Sequence, residues 1–308
     1  MPNSDIQQLL YSCGIVVDSV TLYREQRGVT AYLVNGTLLL KTSASALAEI
    51  EKLNRVQALP LVPGIHASGS VALAGVQHAY VLMDYVQGGD LWSAARSLNE
   101  QQQRHLGSQV ALFRNALHAI TDDAYDIGHY VPTIPRCAAS WEEGHRQYAA
   151  MLKRQLAEVD LNALSQTAVA DAFAYIDENI HALAYQAGAR LLHNDFHPKN
   201  IIVREGRLAG IIDWECSQYG EADFELSHLI HWCIYPPDEG HPTEAFVKSV
   251  IKNAQAAARI PELEKRLTIY QLEHELNQIL WHGKGEADKR MCRIDGWLHG
   301  RVSALLKP

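Results

Sequence analysis

Apolar and polar positions change period once along this chain, and the change divides it. Residues 15–23 (IVVDSVTLY) and 29–34 (VTAYLV) are rich in Val, Tyr and Thr and predict strands. Asn35-Gly36 follows, then Thr37-Leu38-Leu39-Leu40-Lys41. Asn-Gly between two apolar runs predicts a tight hairpin, because both turn positions need positive φ. That leaves Lys41 at the end of the second strand. Residues 43–57 carry Leu47, Ile50, Leu53 and Val56 at helical spacing, and Pro60 and Pro63 follow as stops. Strands are predicted again at 71–75 and 79–86, before Gln87-Gly88-Gly89-Asp90 breaks the pattern. From there helical periods dominate, at 99–122, 140–158, 161–187, 222–235, 243–258 and 261–283. One β island interrupts them, Asn200–Val203 and Leu208–Asp213 around Arg204-Glu205-Gly206-Arg207. The expectation is an α+β chain with a β-rich lobe at 1–86, a hinge at about 84–89, and a mainly helical lobe at 87–308.

Composition narrows the class. At 308 residues the chain suits one large two-lobed domain or two domains. The formal net charge is −8 and no Lys/Arg-rich run is present, which argues against a nucleic-acid partner. No apolar run reaches the roughly 18 residues that would cross a bilayer. Met1-Pro2-Asn3-Ser4-Asp5 lacks the basic and apolar regions of a signal peptide. Cys13, Cys137, Cys216, Cys233 and Cys292 are odd in number and widely spaced, so neither a disulfide framework nor a zinc ribbon is expected. A soluble, cytoplasmic protein is the expectation.

The candidate chemistry lies in His193-Asn194-Asp195-Phe196-His197-Pro198-Lys199-Asn200 and, downstream, Ile211-Ile212-Asp213-Trp214-Glu215. If Glu205-Gly206 forms the turn of the β island, Arg204 faces Arg207 and Asn200 faces Ile211. Asp213 is then the same-face diagonal neighbour of Asn200, roughly 7–8 Å away between Cα atoms. A carboxylate and an amide oxygen so placed, with room for water and phosphate, suit Mg²⁺. Asp195, five residues before Asn200, could accept a proton from an alcohol. Lys41 is the candidate phosphate cation, held by Glu49 on the following helix, with Glu51 as the rival for that pair. Positioning, charge neutralisation and a base are the parts that phosphoryl transfer requires.

These segments resemble the aminoglycoside phosphotransferase and choline kinase-like superfamily, a branch of the protein-kinase fold. Residues 193–200 resemble its H-G-D-L-H-P-x-N loop, Gly220-Glu221-Ala222-Asp223-Phe224-Glu225-Leu226 its G-D-P-x-x-D-L segment, and Met83-Asp84-Tyr85-Val86 a kinase hinge. The resemblance runs from about residue 15 to 230. It implies a protein-kinase-like bilobal fold, ATP and Mg²⁺ as cofactors, and a small-molecule hydroxyl as acceptor, such as an aminoglycoside-like compound, amino sugar or amino alcohol. It further implies Asp195 as base, Asn200 and Asp213 as metal ligands, and Lys41 on the α- and β-phosphates. The backbone at Asp84 and Val86 would meet adenine, and His193 would buttress the loop. The sequence departs from the family at Asn194 in place of Gly, at Arg24–Gly28 with a single glycine, and at Asp213-Trp214-Glu215 in place of Asp-Phe-Gly. No Ala-Pro-Glu follows, which favours a small acceptor over a protein one.

Two other readings stand beside this one. One is a catalytically inactive, kinase-like nucleotide-binding protein. The other is a metal-dependent hydrolase using His193, Asp195 and His197. His228 and His231, three apart on a predicted helix, read as core or boundary histidines, and the aromatics at 214, 219, 232, 235, 281 and 297 mostly as core. The acidic residues Asp238, Glu239, Glu262, Glu264, Glu273 and Glu275 are candidates to hold a polyamine, against the plainer reading of charged helix surface.

Overall fold

The computed structural model describes residues 4–26, 28–43, 46–73, 75–126, 140–235, 243–254 and 257–307. In chain order the first elements are α1 (Ser4–Ser12), β1 (Val20–Gln26), β2 (Val29–Val34), β3 (Leu38–Ser43), α2 (Ala46–Val56), β4 (Ile65–Leu73) and β5 (Val76–Asp84). The short β6 (Gly89–Asp90) and α3 (Leu91–Ala94) follow. Then come α4 (Glu100–Leu117), α5 (Trp141–Leu156), α6 (Ala163–Asn179), β7 (Arg190–Leu192), β8 (Ile201–Arg204), β9 (Arg207–Ile211) and β10 (Gln218–Gly220). The chain ends with α7 (Phe224–Ile234), α8 (Glu244–Asn253), α9 (Leu263–His282), α10 (Lys284–Leu298) and α11 (Arg301–Leu306). Among the described residues no helix is long and apolar enough to cross a membrane.

The chain forms two compact units, one of Met1–Ala94 with Lys199–Ser217, the other of Ala95–Pro198 with Gln218–Pro308. The continuous division expected at residue 87 therefore differs from the observed one, because β8 and β9 join the N-terminal residues through β6.

The first unit is built on an antiparallel sheet in the order β1-β2-β3-β5-β4. Asn35 and Gly36 both take positive φ, 52° and 69°, and set the register Val34↔Leu38. Ile6, Leu9 and Leu10 of α1 pack against Val34, Leu40 and Leu82. Successive strand residues alternate faces, so with Leu40 turned to α1, Lys41 points to the other face. Segment 15–19, expected as strand, is held instead by one side chain. Asn35 Oδ1 accepts from the amides of Asp18 and Ser19, and Asn35 Nδ2 donates to the Val16 carbonyl. Helix α1 and the first half of β4 were not expected. In β4 the run Ala67-Ser68-Gly69-Ser70 is made of small residues that carry little strand signal.

In the ribbon β8–β9, Arg204 pairs with Arg207 as expected, but the register then slips. Val203 faces Leu208 and Ile202 faces Gly210, leaving Ala209 as an extra residue, a β-bulge. Ile201, not Asn200, thus faces Ile211, and the Ile212 amide donates to the Asn200 carbonyl at 3.0 Å. Gly88, at φ 146°, lies flat on this ribbon, where a Cβ would stand 2.6 Å from the Val203 carbonyl oxygen.

In the second unit, α4, α5 and α6 start behind Asn99, Ser140 and Asn162, whose side chains accept the amide three residues on. The predicted helix at 161–187 stops at Asn179 and continues as a 3₁₀ turn, Ile180–Ala184. Strand β7 pairs antiparallel with β10.

Gly88→Ala is expected to destabilise the protein by roughly 1–3 kcal/mol through the backbone clash at Val203 and the unfavourable φ. Urea unfolding of the variant beside the wild type measures it.

Candidate active site

Strand β3 sits between β2 and β5, with Lys41 opposite Ala31 and Val81. Its ammonium lies 2.9 Å from Glu49 Oε1 and 2.6 Å from Asp213 Oδ1. Glu49 reaches it because Glu49, Leu53 and Val56 share one buried stripe of α2. Glu51 is exposed and bonds Arg55 at 2.6 Å, so the rivalry for Lys41 resolves to Glu49. Burial disfavours the charge on Lys41, yet the two carboxylates outweigh it and hold its pKa above the usual lysine value. Burial pushes the Glu49 carboxyl above its ordinary value. Lys41 offsets part of that, while Asp213 and Glu215 add to it.

Asp213 arrives on an unusual backbone, φ 63° and ψ 66°. Had the slipped strand simply continued, Asp213 would fall on the opposite face from Asn200. The left-handed turn re-aims it, and its carboxylate meets Lys41. Trp214, fully buried, fixes the turn by donating from Nε1 to the Ile211 carbonyl at 3.0 Å. Asn200 ends the 3₁₀ turn Pro198–Asn200 and is 7% exposed.

At the predicted hinge, Asp84 N–H donates to the Gly64 carbonyl at 2.9 Å, and the Gly64 amide donates to the Asp84 carboxylate at 2.9 Å. The other Asp84 oxygen lies 2.7 Å from His66 Nε2. Val86 packs over Gly210, where a Cβ would come within 2.7 Å of it. Of the Arg24–Gly28 segment, Arg24–Gln26 end β1 with Gln26 opposite Val29, Gly28 takes φ 77°, and Arg27 lies outside the described residues.

Asp195 belongs to the second unit. Asn194 has φ 62°, a conformation Gly takes freely and Asn tolerates better than most, which accounts for this departure from the family loop. The His197 amide donates to the Asp195 carbonyl at 2.7 Å, and the Asp195 amide donates to His193 Nδ1 at 3.3 Å. His193 is wholly buried and edge-on to Phe196 at 5.5 Å. Its amide donates to Glu225 Oε1 at 2.6 Å. The other Glu225 oxygen accepts from Arg114 at 3.0 Å and lies 2.8 Å from His118 Nε2. Burial works against the Glu225 charge, but His118, Arg114 and His193 overcome it and hold its pKa well below the carboxylate range. Asp223, also buried, takes Arg266 in a two-point pair at 2.6 and 3.1 Å. These anchors were not singled out from sequence. The one signal for them is their place in the 220–226 segment.

The hydrolase reading finds no support, since among the described residues no group of three or more His, Cys, Asp or Glu could hold a metal ion. Among the described residues, Glu273 and Glu275 of the polyamine acids are taken up by partners within the protein. Glu273 is buried against His145 at 2.7 Å, and Glu275 is buried against Arg290 at 3.1 Å and Trp297 at 3.2 Å. Glu262 bonds Lys265, while Asp238 and Glu239 lie outside the described residues.

Comparison with known proteins decides the lineage. Residues 21–260 match the phosphotransferase enzyme family known as APH. The chain belongs to the phosphotransferase enzyme family. One relative of this phosphotransferase is the hygromycin-B 4-O-kinase of Escherichia coli, 25% identical over 125 residues. That match covers 38% of this chain and only 31% of the relative. Another is the chloroplastic protein-ribulosamine 3-kinase of Oryza sativa subsp. indica, 26% identical over 92% of this chain and 77% of that protein. In fold, the phosphotransferase is similar to ADP-bound aminoglycoside phosphotransferase APH(2'')-Ib, with TM-score 0.65, 19% identity, and 96% and 97% of the two chains covered. It is also similar to a thermostable mutant of APH(4)-Ia solved with AMP-PNP and hygromycin B, with TM-score 0.62, 18% identity, and 98% of each chain covered.

Glu225→Gln should destabilise the phosphotransferase by roughly 3–5 kcal/mol at pH 7, by leaving Arg114 buried without its counter-charge. The sign with pH follows from the depressed folded pKa. The wild-type contribution is complete above the unfolded glutamate value of about 4.3 and drains away as pH falls below it. The gap between variant and wild type should therefore narrow in acid, as urea midpoints from pH 7 to pH 3 would record.

Proposed function

We propose that this phosphotransferase moves the γ-phosphoryl group of ATP to a hydroxyl of a small amino sugar or amino alcohol, with Mg²⁺ as cofactor. The observation that carries the reading is Lys41, a buried cation gripped by Glu49 and Asp213 in a member of this family. A lysine so held keeps its charge and a fixed position, which suits it to the α- and β-phosphates. The Asp84 carbonyl and the Val86 N–H are the hinge groups offered to adenine. The Gly64 amide, which could have closed the Asp84 rung, is turned to the Asp84 carboxylate instead.

The donor set fits Mg²⁺. Asn200 and Asp213 supply oxygen donors, one on each arm of the ribbon, and a hard cation with few protein ligands completes its shell from phosphate and water. When bound, the ion neutralises charge on the phosphates. Asp195 orients the acceptor hydroxyl and takes its proton, on a loop held by His193 and Glu225. Two relatives are named for phosphorylating hygromycin B and a protein-borne ribulosamine, which supports an amino-sugar hydroxyl as the acceptor class.

Asp195→Asn is expected to fold normally, to keep the thermal shift given by Mg²⁺ and ADP, and to lower turnover by ~10²–10⁴. Asp213→Asn should lose the metal-dependent part of that shift together with turnover. ADP release against a panel of alcohols measures both, and wild-type rates in either variant would end the proposal.

A further inference from the structure

A line of rings runs from α10 to the Asp195 loop within the second unit. Arg290 donates to Glu275 Oε2 at 3.1 Å and lies 3.5 Å from His231 Nε2, while His231 Nδ1 stands 3.3 Å from Glu275 Oε1 without a hydrogen bond to it. His231, wholly buried, lies against His274, with ring centroids 3.7 Å apart and planes tilted by 34°. His274 stands edge-on to Trp232 at 5.6 Å, and Trp232 lies 4.5 Å from the His197 ring. His197 is two residues from Asp195, so at most about 7 Å separates their Cα atoms. Trp232, His274 and His197 are half-buried, neither sealed in the core nor fully exposed. His274 Nε2 is shielded from solvent and has no hydrogen-bond partner among the described residues. An unsatisfied imidazole nitrogen beside a half-buried indole is costly unless something bonds to it.

We propose that Trp232 and His274 form the acceptor subsite of this phosphotransferase, and that they select a sugar or polyol ring carrying at most one positive charge. The ring would lie against Trp232, with a hydroxyl bonded to His274 Nε2. The inference rests on the phosphotransfer reading and narrows its acceptor. The indole gives a sugar an apolar face to cover, and a neutral imidazole gives its hydroxyl a partner. Among the described residues a polycation finds no equivalent in Glu273 and Glu275, which are spent on His145 and Arg290. Burial, then His228, Arg290, His197 and Arg293, hold the His274 pKa well below the ordinary value, so the group facing the acceptor is uncharged.

The test compares D-ribulose, ribulosyl-Nα-acetyl-lysine and gentamicin as acceptors for the full chain, in the wild type, Trp232→Leu, Trp232→Phe, His274→Ala and His274→Gln. Transfer from ATP is followed kinetically, and binding by calorimetry with a non-hydrolysable ATP analogue and Mg²⁺. A low-charge sugar should exceed gentamicin about tenfold in kcat/KM. Trp232→Leu and His274→Ala should raise the acceptor KM about tenfold and leave the ATP KM unchanged, with Trp232→Phe and His274→Gln recovering part of the loss. Tighter binding of gentamicin, no binding of either low-charge sugar, or an unchanged acceptor KM in Trp232→Leu and His274→Ala would overturn the subsite. Failure of the phosphotransfer reading looks different, as absent turnover with every acceptor and no nucleotide-linked thermal shift, and calorimetry still decides the subsite because it needs no turnover.

Discussion

One buried ammonium organises the first unit. Lys41 points off the sheet face opposite α1 and could not remain charged there without partners, since removing an ion from water costs several kcal/mol. Two carboxylates supply that compensation, and each comes from a different element. Glu49 ties α2 to the sheet, and Asp213 ties the end of β9 to it. The ion pair is therefore also a geometric constraint, for it fixes where a helix and a ribbon meet a strand. The left-handed backbone at Asp213 and the buried Trp214 behind it follow from the same requirement, since the carboxylate must leave the ribbon at an angle no extended strand provides.

The second unit solves a parallel problem with the opposite charge. Glu225 is a buried anion whose oxygens are shared among Arg114, His118 and the backbone amide of His193. The His193 amide joins the network to the Asp195 loop, so the acid that stabilises the helical core also holds that loop. Asp223 and Arg266 repeat the device nearby, with Arg266 also donating to the carbonyls of Ala182 and Tyr185. Buried charge in the 220–226 segment thus anchors both the helical core and the Asp195 loop.

Much of this was legible from sequence because local rules sufficed. The Asn35-Gly36 turn, the strand that delivers Lys41, the helix carrying Glu49 and the tip of the 200–213 ribbon follow from turn chemistry and periodicity. What escaped was decided by tertiary contact. The ribbon register slipped because Ala209 bulges, and no residue type announces that. Segment 15–19 looks like strand until Asn35 claims its backbone. Helices α10 and α11 were not expected, and residues 284–290 (KGEADKR) offer Ala287 as their one apolar position. The side-chain partners of Glu225, His118 and Arg114, lie 107 and 111 residues away along the chain, beyond any local pattern. The division into units departed from the residue-87 boundary for a related reason, since strand pairing through β6 outweighs chain order.

The bulge at Ala209 has an evolutionary corollary. Because the register is already corrected once between the hairpin tip and Asp213, the two ends of the ribbon answer to different rules. At Glu205-Gly206 the chain can lengthen or shorten as a pair of residues without turning any later side chain over. Between Gly210 and Asp213 it cannot change by even one, because a single insertion would rotate the carboxylate away from Lys41 and strip the ammonium of one of its two carboxylates. Natural length variation among close kin should thus collect at the tip of this ribbon and be absent from its base.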